Sequence, residues 1–498
     1  VFVWAALIVL SSCSRRTPEF VHSIPDDAIA VLTIHPMQLH TKSQVNTFPS
    51  IKEKVKDEIW EQILENPLST GLMMNEYVYV FVTMEEEAPV IGVVSGMKDQ
   101  KKFESTLAKI KEGITEEFES NEVYTWLQMD KEGIIAWNNK QMIALVSPDH
   151  NEFESSYFTG ALDKMFSPVR EESITSLVDF KDFLGKMKDL NLWLSSNELF
   201  DVVQKIAGDK IPDLPITLYN NYAQVFVDFA DGEMNINGET HFSEEVEKNV
   251  EEFLVMKPNL NEDMLKLAPA GNLLVAIAGS MDLSKTQQLI EKFAPPEVDT
   301  VSNKVEMATG MEMEELLGAL TGDFTISING VEGEAMIPLE IFVGIGVNGK
   351  AIQEKLMESV QGLTSVEEEG DFFIINFQGN EIYSGIINDV LVITNALGYK
   401  DAIKSGAHGT PLTSSRFGDF ADGSLGMFVN LDIDQYPAML QGLLSQRSEA
   451  QRWVNKLTDP FDYLGVCAGN YKSKMVVKTS NPSENSLYTV LKMVDAPE

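Results

Sequence analysis

Gly344-Ile345-Gly346-Val347-Asn348-Gly349 is a literal GxGxxG with Lys350 behind it, the spacing of a phosphate-cradling loop. Dinucleotide chemistry needs that turn after the first strand of a parallel βαβ unit, where helix N-terminal amides face the pyrophosphate. The strand before Gly344 reads instead as the return arm of a hairpin. The matching place in the first half, Gly92 to Asp99, lacks the pattern, so a strand-to-helix turn needing small residues accounts for it. Asn430, Asp432 and Asp434 alternate as the opening of a calcium loop does. The glycine at its sixth position and the glutamate at its twelfth are missing, which excludes an EF-hand. The histidines (His22, His35, His40, His150, His241 and His408) show no HExxH or paired spacing, and zinc-hydrolase chemistry has no support. No GxSxG elbow is present. These residues yield no catalytic, cofactor or metal site.

Cys13 is the residue with a definite chemistry. Val1 to Leu10, VFVWAALIVL, runs into Leu10-Ser11-Ser12-Cys13 and then Ser14-Arg15-Arg16. LSSC resembles the bacterial lipobox, in which the cysteine thiol takes a diacylglyceryl thioether and small residues before it admit the peptidase. The apolar run is about half the roughly 20 residues a membrane span needs and fits the core of a secretory signal. Residues 1–13 are therefore expected to be a signal-peptide remnant with lipidation at Cys13, and 14–23 a polar tether. Each acyl methylene in a bilayer is worth about 0.8 kcal/mol, so two or three chains hold a protein there. With Cys13 acylated, Cys467 stands alone and no internal disulfide forms.

The chain carries 76 acidic against 38 basic residues, a net charge of −38. Such a field repels phosphate backbones, which excludes nucleic acid as an expected partner. The 44% apolar content is ordinary for globular protein. The Glu85–Glu87 and Glu367–Glu369 runs read as solvated loops.

The elements that hold these residues occur twice. Pro25 to Leu39 is answered by Pro269 to Leu283 without a gap, at an offset of 269 − 25 = 244, with Val31 on Val275 and Met37 on Met281. At 417 − 180 = 237, Phe417, Asp419, Phe420 and Leu431 answer Phe180, Asp182, Phe183 and Leu194. At 463 − 222 = 241, Tyr463, Val466, Met475 and Val477 answer Tyr222, Val225, Met234 and Ile236. That last offset sets Cys467 on Phe226, which reads as a small buried hydrophobe and not as a nucleophile. A period near 240 residues is far too long for a solenoid; it marks a duplicated module. Strands joined by short turns, as at Asn138-Asn139-Lys140-Gln141, Asp231-Gly232 and Asn388-Asp389, predict mainly antiparallel sheets. Helices are predicted at 50–64, 99–114, 243–256, 284–293 with Ser284 as cap, and 350–360. The expectation is α+β: a tandem duplication with helices packed on one face. The first lobe is predicted at 24–262 and the second at 263–498, with a fragment ending near Asn261 folding as one lobe.

The lipobox, the IPDDAIAVLTI opening, Asn66-Pro67-Leu68-Ser69-Thr70-Gly71-Leu72 before YVYVF, and GVVSGMKDQKKFESTL resemble a lipoprotein family of Bacteroidota, domain of unknown function 4836. The resemblance spans nearly the whole mature chain and implies a cell-envelope lipoprotein, with no activity or site residues attached. Surface-exported lipoproteins of that phylum carry an acidic run after the cysteine. Ser14-Arg15-Arg16 departs from it, which implies an outer-membrane anchor facing the periplasm. The sequence thus predicts a membrane-anchored, non-catalytic binding or assembly protein that needs no cofactor. The alternative is a periplasmic hydrolase or ligand-binding protein with a site between the lobes.

Overall fold

Alternating β-branched and aromatic residues build the strands Ala30–Ile34 (β1), Val78–Glu85 (β2), Ala88–Gly96 (β3), Glu119–Ser120 (β4), Thr125–Met129 (β5), Gly133–Trp137 (β6), Gln141–Val146 (β7), Leu190–Ser195 (β8), Tyr222–Ala230 (β9) and Glu233–His241 (β10). The structure is a computed structural model. It describes residues 17–495 apart from 55–65, 86–87, 111–117, 130–132, 148–154, 197, 200–220, 245, 249–254, 294–305, 307–309, 332–337, 362–363, 371, 378–379, 397–398, 400–408, 446–455 and 457. Cys13, His150 and His408 lie outside the described residues, as do most of the helix expected at 50–64 and half of that expected at 243–256.

Every pairing is antiparallel, in the order β4-β5-β6-β7-β3-β2-β1-β8-β9-β10. The second sheet comprises Asn272–Ser280 (β11), Leu320–Gly330 (β12), Leu339–Val347 (β13), Ser365–Glu369 (β14), Phe372–Phe377 (β15), Asn380–Ile387 (β16), Val390–Thr394 (β17), Leu425–Asn430 (β18), Phe461–Gly469 (β19) and Lys472–Thr479 (β20). Its order is β14-β15-β16-β17-β13-β12-β11-β18-β19-β20, again antiparallel throughout. The two sheets run their strands in the same sequence, around β1 and β11. With helices packed on them, the fold is α+β.

The register revises one detail of the ungapped match. Val31 is fully buried, whereas Val275 is only partly so and Ala276 is buried. A bulge between Leu273 and Val275 adds a residue to β11, and a one-residue slip exchanges the faces of a strand.

Val1–Ser243 with Glu484–Glu498 forms one compact unit, and Glu244–Ser483 the other. The observed divisions thus fall at 243 and 483, where the sequence reading placed one at 262. Local hydrogen bonds explain both. In the second unit the Lys257 amide donates to Ser280 O at 3.0 Å and the Asp282 amide to Val255 O at 2.6 Å. In the first unit, Asn485 Nδ2 donates to Phe229 O at 2.8 Å and the Gly232 amide to Glu484 O at 2.9 Å. These seat the helix Ser486–Asp495, whose Tyr488 ring lies 5.1 Å from that of Phe48.

Strand alternation sorts the first unit's core. Val90, Val94, Ile134, Ala136, Ile143 and Leu145 face the helices Ser155–Phe166 and Val178–Lys186, with Phe158, Leu162, Phe180 and Phe183 fully buried. Their sheet neighbours Val93, Ile135, Trp137, Met142 and Ala144 point the other way, onto Phe103 and Leu107 of the helix Gln100–Ile110. At this end helices cover both faces, more than the single helical layer expected. Gly92 leaves room for the Phe81 ring, as Gly465 does for Phe420; a Cβ at either would collide with the ring.

Candidate functional site

A cavity of about 530 Å³ opens in the first unit, within the range usual for small-molecule sites. Its floor comes from sheet residues that face the helices: Phe81, Val90 and Leu145, each at most 2% exposed, with Thr83 beside them. Ile24, Met165 and Ala161 form the walls, and Ala161 lies on the helix Ser155–Phe166. Asp26, Asp27, Lys164, Val169 and Glu172 stand exposed at the rim, with partly buried His22.

Hydrogen bonds fix this shape. Residues 24–26 run against 172–174: the Ile174 amide donates to Ile24 O at 2.9 Å, the Asp26 amide to Glu172 O at 3.2 Å, and Pro25 bridges Ser173. Buried Gln141, at the start of β7, donates from Nε2 to Ser23 Oγ at 2.9 Å and to Met165 O at 3.4 Å. One amide thereby ties the sheet, the short helix Glu19–Ser23 and the end of Ser155–Phe166 together.

Among the described residues, the cavity's polar groups do not form a catalytic pair. His22 Nδ1 lies 2.5 Å from Thr175 Oγ1, and Thr175 is not among the lining residues. Burial, aided by the Arg170 charge, holds the His22 pKa below the ordinary imidazole range, so the ring is neutral at pH 7. Ser23 Oγ, the hydroxyl nearest in sequence, is engaged by Gln141. What the arrangement offers is an apolar bed with charged groups at its mouth.

The other sequence candidates lie elsewhere. Gly344 and Gly346 sit inside β13, antiparallel to β12 and β17. Gly346 faces Thr321 with no space for a side chain, and Gly349 makes the turn at φ +95°. The GxGxxG is thus strand packing plus a turn, with no helix N-terminus behind its first two glycines. Asn430 Oδ1 accepts from the Asp432 amide at 3.0 Å, Asp432 Oδ1 from the Asp434 amide at 3.1 Å, and Asp432 Oδ2 from Gln435 Nε2 at 2.7 Å. These are nested turns that occupy the carboxylate themselves. His35 caps the helix Pro36–Ser43 through Nδ1 and packs edge-on against Tyr77, while His241 stacks on Tyr222 and His40 lies 3.5 Å from Asn46 Nδ2. Cys467 is buried in β19, and burial pushes its thiol pKa up.

Two readings are corrected. Glu367–Glu369 is not a loop but part of β14, an outer strand of the second sheet, where repelling charges blunt an open edge. The helix Leu283–Phe293 is capped by Asp282, not Ser284: Asp282 Oδ1 accepts from the amides of Ser284 and Lys285. The cavity itself is not legible in the sequence, since its lining comes from four separate stretches, 22–27, 81–90, 145 and 160–172.

The family model described as "Domain of unknown function (DUF4836)" matches residues 20–487. No curated protein matches the chain. Among solved structures, crystal form III of TP0453 is similar at 9% identity and a TM-score of 0.28, covering 50% of this chain and 91% of that one. Crystal form I of TP0453 gives 8% identity and 0.28, covering 50% and 90%. Likenesses this distant carry no argument about function.

Proposed function

The chain belongs to the domain of unknown function 4836 family, and on that premise we propose a non-catalytic, lipid-anchored envelope protein, built by tandem duplication, that binds an apolar ligand in its first unit. The cavity over Phe81, Val90 and Leu145 is the observation that carries the binding reading. Buried apolar floors of this size recover transfer free energy, about 25 cal/mol for each Å² covered. The anchor reading rests on Leu10-Ser11-Ser12-Cys13, and the proposed periplasm-facing side of the outer membrane on Ser14-Arg15-Arg16.

Gly160 supplies a clean test of the cavity. It lines the opening on the helix Ser155–Phe166, and a Cβ added there meets nothing within 4 Å. Gly160→Trp is expected to set an indole at the mouth and leave the core unchanged. The wild type is expected to bind the neutral fluorophore N-phenyl-1-naphthylamine, and the variant to lose at least about tenfold in affinity, with its melting temperature kept. Equal binding by both proteins refutes the site. For the anchor, Cys13→Ala is expected to move the protein from the membrane to the soluble fraction; retention on membranes in high salt refutes lipidation.

A further inference from the structure

We infer that the ligand of this cavity is a cationic amphiphile: an alkyl chain lying on the Phe81–Leu145 floor with an ammonium group at the rim. The inference rests on the binding reading above and adds the chemistry of the ligand. The cavity makes the site; the rim decides the charge. Asp26, Asp27 and Glu172 stand at the mouth against one lysine, Lys164. His22, whose pKa is lowered, adds no charge at pH 7. The lining carries three carboxylates and one ammonium, and Arg170, Lys181 and Glu19, whose charges reach His22, bring the total to −3 + 1 + 2 − 1 = −1, set in a chain of −38. A fatty carboxylate entering head-outward would meet like charge, while an alkylammonium meets complementary charge.

The backbone sets two of these residues side by side. The Asp26 amide donates to the Glu172 carbonyl, so the two side chains leave neighbouring positions on a paired segment. This rim lies beside a floor whose aromatic ring is wedged over Gly92. An aliphatic chain therefore meets a fixed apolar surface below and carboxylates at the mouth above.

The test measures displacement of N-phenyl-1-naphthylamine from the full-length protein by dodecylamine, dodecanol and dodecanoate at pH 7 and low salt. Dodecylamine is expected to compete at least about tenfold more strongly than dodecanoate. That ratio should fall toward one in the triple variant Asp26→Asn, Asp27→Asn, Glu172→Gln, and in 1 M salt, where the Debye length is about 3 Å. Lengthening the amine by one methylene should strengthen binding about fourfold while the floor lasts. Equal competition by all three compounds overturns the charge inference and leaves the apolar cavity standing. No competition by any of them overturns the cavity reading itself. Dodecylamine binding of unchanged strength to Gly160→Trp places the amine on the acidic surface and overturns the inference as well.

Discussion

Ending the chain at Ser483 is expected to unfold the first unit and leave the second intact. The helix Ser486–Asp495 belongs to the first unit although it follows the last strand of the second. Its removal deletes the hydrogen bonds of Asn485 to Phe229 O, of Gly232 to Glu484 O and of Ser50 to Asp495, and strips Tyr488 from Phe48. Each such contact is worth about 1 kcal/mol, and buried Ser486 and Thr489 mark a helix face lost with them. The sum is a large share of the roughly 5–15 kcal/mol that holds a domain folded. Hydrogen exchange on the shortened chain should show protection lost in β1, β9 and β10 and retained in β11 and β12. Unchanged protection in β9 and β10 contradicts the assignment of this helix. A fragment ending near Asn261 lacks the same helix and is expected to be unstable, contrary to what the repeat alone suggests.

The second large effect centres on Asp323, buried in β12 of the second unit opposite Ser280 at the end of β11. Its carboxylate accepts from Lys257 Nζ at 3.1 Å on both oxygens, from Thr321 Oγ1 at 2.8 Å, and from Ser280 Oγ. Burial acts to raise its pKa. The hydrogen bonds from Ser280, Thr321 and Lys257 outweigh that and hold it below the usual carboxylate value. Asp323→Ala takes the carboxylate from Ser280, Thr321 and Lys257; Lys257 keeps Thr321 O at 2.8 Å and is partly exposed, so the loss is about 2–3 kcal/mol. For a unit of this size the melting temperature should fall by roughly 4–12 °C. The pH dependence has a definite sign. A carboxylate with a depressed folded pKa contributes its stability above the unfolded value, about 3.9, and loses it as pH falls through the folded value. Wild type should therefore lose stability below about pH 4 more steeply than Asp323→Asn; parallel curves contradict the role given to this carboxylate.

Local chemistry was legible where short stretches decide it. Asn388-Asp389 predicted a hairpin, and both residues take positive φ, 48° and 60°, between β16 and β17. Asn138 likewise accepts from the Lys140 and Gln141 amides, closing β6 onto β7. The cap of Leu283–Phe293 was misread because Ser and Asp compete for that role and only geometry separates them. The edge position of Glu367–Glu369 was invisible because charge alone does not tell an edge strand from a loop. The cavity needed Ser23, Phe81, Leu145 and Met165 together, a conjunction made by sheet order and by the Gln141 amide, neither of which has a local signature.

A crystal structure of the protein with dodecylamine tests the binding reading most directly. The alkyl chain is predicted to lie against Phe81, Val90 and Leu145, with its nitrogen among Asp26, Asp27 and Glu172. Density for the amine elsewhere, over a cavity closed by the protein's own side chains, would contradict it.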